Sequence, residues 1–162
     1  MGFYGNHSLQ LDEKGRMRIP AAYRDELGTG FALAKGPDGS IYVLSAEKAA
    51  EFESSLEKLL KGRTLFDAKA QLAINAMAEA IDYPIPDDQN RFMLKANFKR
   101  HASIKKDIYV TGAVDKLAIW SAERYENVLE GGDFDKLMGV VDAMLSEDAK
   151  ISEDKPGADI KE

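Results

Sequence analysis

The chain contains no cysteine. A disulfide framework and a cysteine-ligated zinc site are both excluded, and a reducing cytosol is the compartment this composition suits. Histidine is scarce as well: only His7 and His101 occur in 162 residues, and neither has a second ligand at the spacing of a helical metal site. No stretch approaches the roughly 20 apolar residues of a membrane span. The opening MGFYGNHSLQ lacks a basic run followed by an apolar one, so a cytoplasmic protein without membrane attachment is expected. A phosphate-binding glycine loop is missing too, because Gly131-Gly132 is not followed by lysine and threonine. Carboxylates are plentiful but fall on expected helix surfaces, where charge solvates. Nothing points to catalysis, a cofactor, a metal or a small-molecule substrate.

What is present is a core and a duplication. At 44% hydrophobic content the chain can bury a real core, either as one domain or as two small fused ones. The segment DEKGRMRIPAAYR at Asp12 to Arg24 returns as DDQNRFMLKANFK at Asp87 to Lys99, with one offset for both charged anchors (87 − 12 = 75; 91 − 16 = 75). Further along, IYVLSAEK at Ile41 to Lys48 answers LAIWSAER at Leu117 to Arg124 (121 − 45 = 76). Each half therefore reads hairpin, helix, hairpin, helix.

Local chemistry supports that plan. His7 to Leu11 alternates as a strand, and Asp12 opens a tight turn. Gly15 sits where such a loop needs a left-handed residue; the second copy has Asn90 there, the non-glycine type that best tolerates positive φ. Pro20 falls where a helix begins and Gly28 where it ends, predicting a helix over Ala21 to Leu27. Phe31 to Lys35 and Ile41 to Leu44 form a second hairpin around Pro37-Asp38-Gly39. Ser45 caps a helix carrying Ala49, Phe52, Leu56, Leu59 and Leu60 as one stripe. A broadly apolar helix from about Thr64 to Ala80 follows, and these two helices are expected to pack between the repeats. In the second half Pro84 and Pro86 confine the entering strand to a sheet edge or shorten it. Ile108 to Thr111 and Leu117 to Trp120 make the second hairpin, Ser121 precedes a helix over Ala122 to Leu129, and Phe134 to Leu145 forms a last amphipathic helix whose apolar face needs a partner. Tyr42 and Trp120 are expected in the core rather than stacked on bases.

A net charge of −6 argues, taken globally, against a nucleic-acid partner. Placement matters more than the total. From Ser146 onward six acids (Glu147, Asp148, Glu153, Asp154, Asp159, Glu162) face three lysines (Lys150, Lys155, Lys161), which predicts a disordered, solvating tail. The first hairpin instead concentrates Lys14, Arg16, Arg18 and Arg24, a local basic patch on an acidic protein.

Asp-x-x-Gly-Arg, then Ile-Pro and an arginine four residues on, resembles the AbrB-like swapped-hairpin proteins, and two tandem copies with a helical spacer resemble the MraZ family over about residues 3 to 145. The resemblance implies an α+β fold: a pseudo-dimeric AbrB-like swapped-hairpin β-barrel built from two tandem repeats and flanked by helices. Its expected divisions are a first repeat over 5–50, a helical spacer over 51–79, a second repeat over 80–125, a C-terminal helix over 126–145 and an acidic tail over 146–162. It further implies a ring-shaped homo-oligomer and a cytoplasmic, nucleoid-associated regulator that represses the division and cell wall gene cluster, including its own promoter, by binding repeated sites on double-stranded DNA. The family's Asp-x-x-x-Arg element falls on Asp12 with Arg16 and on Asp87 with Arg91. Flanking basic residues are Lys14, Arg18 and Arg24 in the first copy and Lys95 and Lys99 in the second, where Gln89, Asn90 and Lys95 replace the lysine, glycine and proline.

Physical chemistry gives these residues roles without the family. A two-stranded ribbon fits the major groove, and an arginine on it reaches phosphates or, bidentately, guanine O6 and N7. Asp12 and Asp87 would hold the guanidinium forks in one orientation while remaining near solvent. The competing reading is an antitoxin-like or scaffold protein whose main partner is another protein, since fold alone does not decide function. Lys14 and Arg18 serve equally well as solubilising charges on an edge hairpin.

Overall fold

Alternation of apolar and polar residues divides this protein between two antiparallel sheets that share one core. The computed structural model describes residues 2–63, 65–131 and 134–153. Two units make it up, residues 1–124 and 125–162.

In the first unit the chain runs β1 (Asn6–Gln10), β2 (Arg16–Arg18), α1 (Ala21–Leu27), β3 (Ala32–Lys35), β4 (Ile41–Leu44), α2 (Ala46–Leu60), α3 (Ala68–Glu79), β5 (Ile81–Asp82), β6 (Arg91–Met93), α4 (Ala96–His101), β7 (Asp107–Gly112) and β8 (Leu117–Ser121), and then enters α5 (Ala122–Tyr125). Six strands form one sheet in the order β1-β7-β8-β4-β3-β5, and β2 pairs with β6 as a separate ribbon.

The repeats are interleaved strand by strand. β1 of the first repeat pairs with β7 of the second (Asn6↔Thr111, His7↔Val110), and β5 of the second pairs with β3 of the first in the equivalent register (Ile81↔Ala34, Asp82↔Leu33). β4 lies beside β8, with Tyr42 opposite Ala118. A pseudo-twofold thus passes through the Tyr42/Ala118 pair and, in the ribbon, through the Met17/Phe92 pair. This corrects the reading of β1 and β2 as two arms of one hairpin: the turn between them is closed by Asp12 N–H donating to the Arg16 carbonyl (2.9 Å), but each strand then takes its partner from the other repeat. The closed barrel is also not seen, because no ladder joins β1 to β5 and the described sheet is open.

Side-chain period explains the layering. Leu33, Ile41, Val43, Ile108, Val110, Leu117 and Ile119 point from the sheet into a core that Met17 and Phe92 of the ribbon and Tyr23, Leu27 and Phe98 of α1 and α4 complete. The alternate residues Ala32, Ala34 and Leu44 face the opposite side, where Ala49 of α2 covers them. Only the start of the α2 stripe is covered, since Leu59 and Leu60 are each 48% exposed. Helix α3 begins later than expected, at Ala68, because the Asp67 side chain caps it by accepting from Ala70 N–H; none of its residues is fully buried. Thr64 lies outside the described residues. The prolines act as expected: β5 stops at Asp82 and sits at the sheet edge. Trp120 is buried and Tyr42 packs on the smaller cluster.

The β7–β8 connection carries a correctable strain. Val114 stands at φ +70, where a β-branched side chain is badly accommodated, whereas the β3–β4 connection uses Gly39 at φ +85. Because Val114 is 59% exposed, little burial is lost on replacing it. Val114→Asn is expected to stabilise the protein by about 1 kcal/mol, a rise of about 2–4 °C in melting temperature; an unchanged thermal midpoint would refute the strain.

In the second unit a π-helical turn (Glu126–Glu130) precedes α6 (Phe134–Glu153). The helix expected over Ala122 to Leu129 is thus a turn of α-helix that loosens into π geometry. Helix α6 continues through Ser146 to Glu153, eight residues into the segment read as a disordered tail (153 − 145 = 8). Asp, Glu, Ala and Lys are adequate helix formers when an existing helix needs only to be extended. The tail beyond residue 153 and the expected break at Gly132 lie outside the described residues.

Candidate nucleic-acid interface

Both turns are built by one device. Asp12 Oδ1 accepts the N–H groups of Lys14 (2.9 Å) and Arg16 (2.8 Å), while Oδ2 takes the Arg16 Nε at 2.7 Å. Asp87 repeats this with Gln89 N–H (2.9 Å), Arg91 N–H (2.9 Å) and Arg91 Nε (2.9 Å). The carboxylate therefore both shapes the turn and orients the guanidinium. Arg16 Nη1 also lies 3.9 Å from Asp87 Oδ2, linking the two copies. Both carboxyls are held below the ordinary aspartate value. The main cause is the backbone N–H of Arg16 for Asp12 and of Arg91 for Asp87, partly opposed by desolvation. Stability from these groups is fully present above the unfolded aspartate pKa of about 3.9 and is lost as pH falls through the lowered folded values.

Gly15 (φ +79) and Asn90 (φ +62) occupy the left-handed position in equivalent places. Asn90→Val puts a β-branched side chain there at a cost of about 1–2 kcal/mol, and a lower thermal midpoint is expected. An unmoved melting curve would mean that the turn rearranges freely.

Register decides which residues face outward. Arg16 lies opposite Met93, Met17 opposite Phe92, and Arg18 opposite Arg91. Met17 and Phe92 are buried, so Arg16, Arg18, Arg91 and Met93 share the outer face. Arg18 is exposed and its Nη2 makes a long contact (3.5 Å) to Gln89 Oε1.

The remaining basic residues divide. Lys14 is exposed on the first turn. Arg24 spends its Nε on the Ile19 carbonyl (2.9 Å), a bond that fastens α1 to the strand before it. Lys95 pairs with Asp82 (2.8 Å), and the helix after it starts at Ala96, the equivalent of Ala21 (96 − 21 = 75), with the Lys95 backbone in the extended conformation of Pro20. Loss of the proline therefore does not move the helix start.

The swap carries Lys99 to the first turn, where its Nζ would sit 3.3 Å from a Cβ on Gly15. Lys105 and Lys106 join it around a cavity of about 300 Å³ with Asp12, Glu13 and Gly15, and the Leu11 N–H donates to the Lys106 carbonyl (2.8 Å). Sequence reasoning missed these two lysines because they adjoin the turn only through the other repeat. The second turn has Arg24 beside it but Gly28, Thr29 and Gly30 around its cavity of about 520 Å³. Three lysines thus crowd the first tip, and the pseudo-twofold is electrically broken.

Neither histidine belongs to this face. His7 packs edge-on against Tyr23, and His101 Nε2 lies 2.8 Å from the Gly36 carbonyl.

Two interleaved copies of a strand-turn-strand-helix unit, each with an aspartate-clamped arginine, define the class: an α+β protein with antiparallel sheets and two tandem repeats. The family model for the MraZ protein matches residues 3–71 and 78–136, one stretch for each repeat. Curated relatives include proteins named Transcriptional regulator MraZ from Mycobacterium tuberculosis (36% identical over 77% of this chain and 85% of that protein), Nocardia farcinica (35%; 78% and 86%) and Mycolicibacterium gilvum (33%; 79% and 87%). The chain belongs to the MraZ family.

Proposed function

We propose that this protein is a transcriptional regulator that binds double-stranded DNA in a sequence-specific way through the outer face of the β2–β6 ribbon. The observation that carries the reading is the convergence of Arg16, Arg18 and Arg91 on that face, two of them clamped by aspartates. An antiparallel two-stranded ribbon is of a size to enter the major groove, where clamped guanidiniums meet guanine O6 and N7 and nearby lysines meet phosphates. The relatives named as transcriptional regulators support the same reading. By the family resemblance the action is repression of the division and cell wall gene cluster, including the protein's own promoter. The place of action is then the nucleoid within the cytoplasm; no described helix is long and apolar enough to cross a membrane.

One ribbon offers few base contacts, so useful affinity calls for several ribbons engaging repeated sites at once. The exposed α6 stripe of Phe134, Leu137, Met138, Val141, Met144 and Leu145, each 37–68% exposed, supports self-association, and by the family resemblance the assembly is a ring homo-oligomer. The same stripe favours the second reading, an antitoxin-like or scaffold protein that docks another protein there. A gel-shift titration against the DNA upstream of the gene, run at two salt concentrations, separates them. A regulator gives discrete complexes with a steep salt dependence and a preference over scrambled DNA; a scaffold gives at most weak, sequence-blind retention.

A further inference from the structure

The pseudo-twofold of the ribbon exchanges Arg16 with Arg91, but it carries Arg18 onto Met93 (93 − 18 = 75). One end of the outer face therefore holds two opposed arginines, and the other holds Arg16 beside a thioether. Single exposed apolar side chains are common on proteins. Met93 is distinguished by its surroundings: it is 46% exposed, Arg16 lies directly across, and its Sδ would be 3.6 Å from a Cβ on Gly15 at the lysine-rich turn.

We propose that Met93 is a specificity-determining contact that receives the C5-methyl of a thymine beside the base pair read by Arg16, and that this gives the recognised site a direction. The inference rests on the DNA-binding reading above. The thymine methyl is the apolar feature of the major-groove edge, and an apolar side chain is its complement. Side chains directly opposed across an antiparallel ribbon stand about 5 Å apart at Cβ, whereas successive base pairs rise about 3.4 Å, so Arg16 and Met93 are spaced to meet neighbouring pairs. The thioether is flexible enough to follow a methyl group through small changes of groove geometry. At the opposite corner Arg18 stands in the equivalent place and offers a methyl group only a charged fork. The ribbon consequently distinguishes the two directions along one groove.

The test begins with selection of sites from a random double-stranded library by the full-length wild-type protein, followed by replacement of each thymine in the selected site with deoxyuridine, which removes only the methyl. One position is expected to lose about threefold to tenfold in wild-type affinity, the scale of one buried methyl group. Met93→Ala should be indifferent to that replacement, Met93→Leu should restore the sensitivity, and Met93→Arg should select guanine there and lose the direction of the site. Thermal melting of each variant checks the fold, which an exposed side chain should leave intact. A selected site that tolerates uracil everywhere, or a Met93→Ala protein as sensitive as wild type, overturns the role of Met93 and leaves DNA binding standing. Failure of the wild-type protein to select any site removes the DNA reading and this inference with it.

Discussion

Replacing Arg16 and Arg91 together with alanine is expected to remove specific DNA binding while leaving the fold intact. A bidentate arginine-guanine contact discriminates by about 1–3 kcal/mol, so two of them set a range from about thirtyfold to more than ten-thousandfold in affinity. The single changes should not sum to the double one, because Arg16 Nη1 also approaches Asp87, the clamp of Arg91. The fold is insulated from the change because each turn is held by backbone N–H groups on the aspartate, and these bonds survive loss of the guanidinium. Removing the arginines also leaves two carboxylates facing DNA phosphates, which adds repulsion. Salt dependence tells the roles apart: if the arginines read bases, the slope of log affinity against log salt barely changes, whereas if they only neutralise phosphates it falls by about 2. Alanine at Lys99, Lys105 and Lys106 is expected to do the reverse, flattening the slope by about 3 with little change in preference between sequences. Operator affinity unchanged in the double arginine variant would refute the ribbon as the reading face.

Much of this interface is legible in the repeat, because one backbone demand is met by two different residues at a fixed offset. Gly15 and Asn90 both hold positive φ, Pro20 and Lys95 both precede a short helix, and Asp12 and Asp87 both clamp an arginine. Local turns are coded by neighbours, so their chemistry survives in the linear text. Strand partnership is not coded that way. The bonds closing Asp12 to Arg16 are the same whether β1 and β2 then stay together or part, and the pairing of β2 with β6 is set by burying Met17 against Phe92 across 75 residues. From such long-range pairings follow the two features that sequence patterns did not reveal: Lys105 and Lys106 at the tip of the other repeat, brought there beside β1, and Met93, placed on the same face as the arginines by β2 and β6. Helix α6 illustrates a different limit, since an acidic composition predicts solvation but does not decide between coil and a solvated helix.

The largest expected loss of stability comes from a residue outside the interface. A methyl group on Gly112 would overlap the backbone of Phe3 and Tyr4, which crosses directly over it. Backbone cannot swing aside as a side-chain end does, so Gly112→Val must expel the N-terminal segment. Expulsion breaks the paired bonds of Phe3 with Val114 (2.9 and 3.0 Å), the bond from Gly112 N–H to the Gly5 carbonyl (2.8 Å) and that from the Tyr23 hydroxyl to the Tyr4 carbonyl (2.7 Å). Phe3, now 5% exposed and edge-on to Tyr23, leaves the core. Removal of a buried phenylalanine side chain costs about 3–5 kcal/mol, and a loss of that size in unfolding free energy is expected, read as a lowered denaturant midpoint at unchanged slope. Deleting residues 1–5 should cost nearly as much, and Gly112→Val in that shortened chain should cost little more, because the clash has lost its partner. Since the expelled segment borders β1 and not the ribbon, the surviving folded fraction should keep its DNA affinity. Full additivity of the deletion and the substitution would show that Gly112 is needed for something other than passage of the N-terminal backbone.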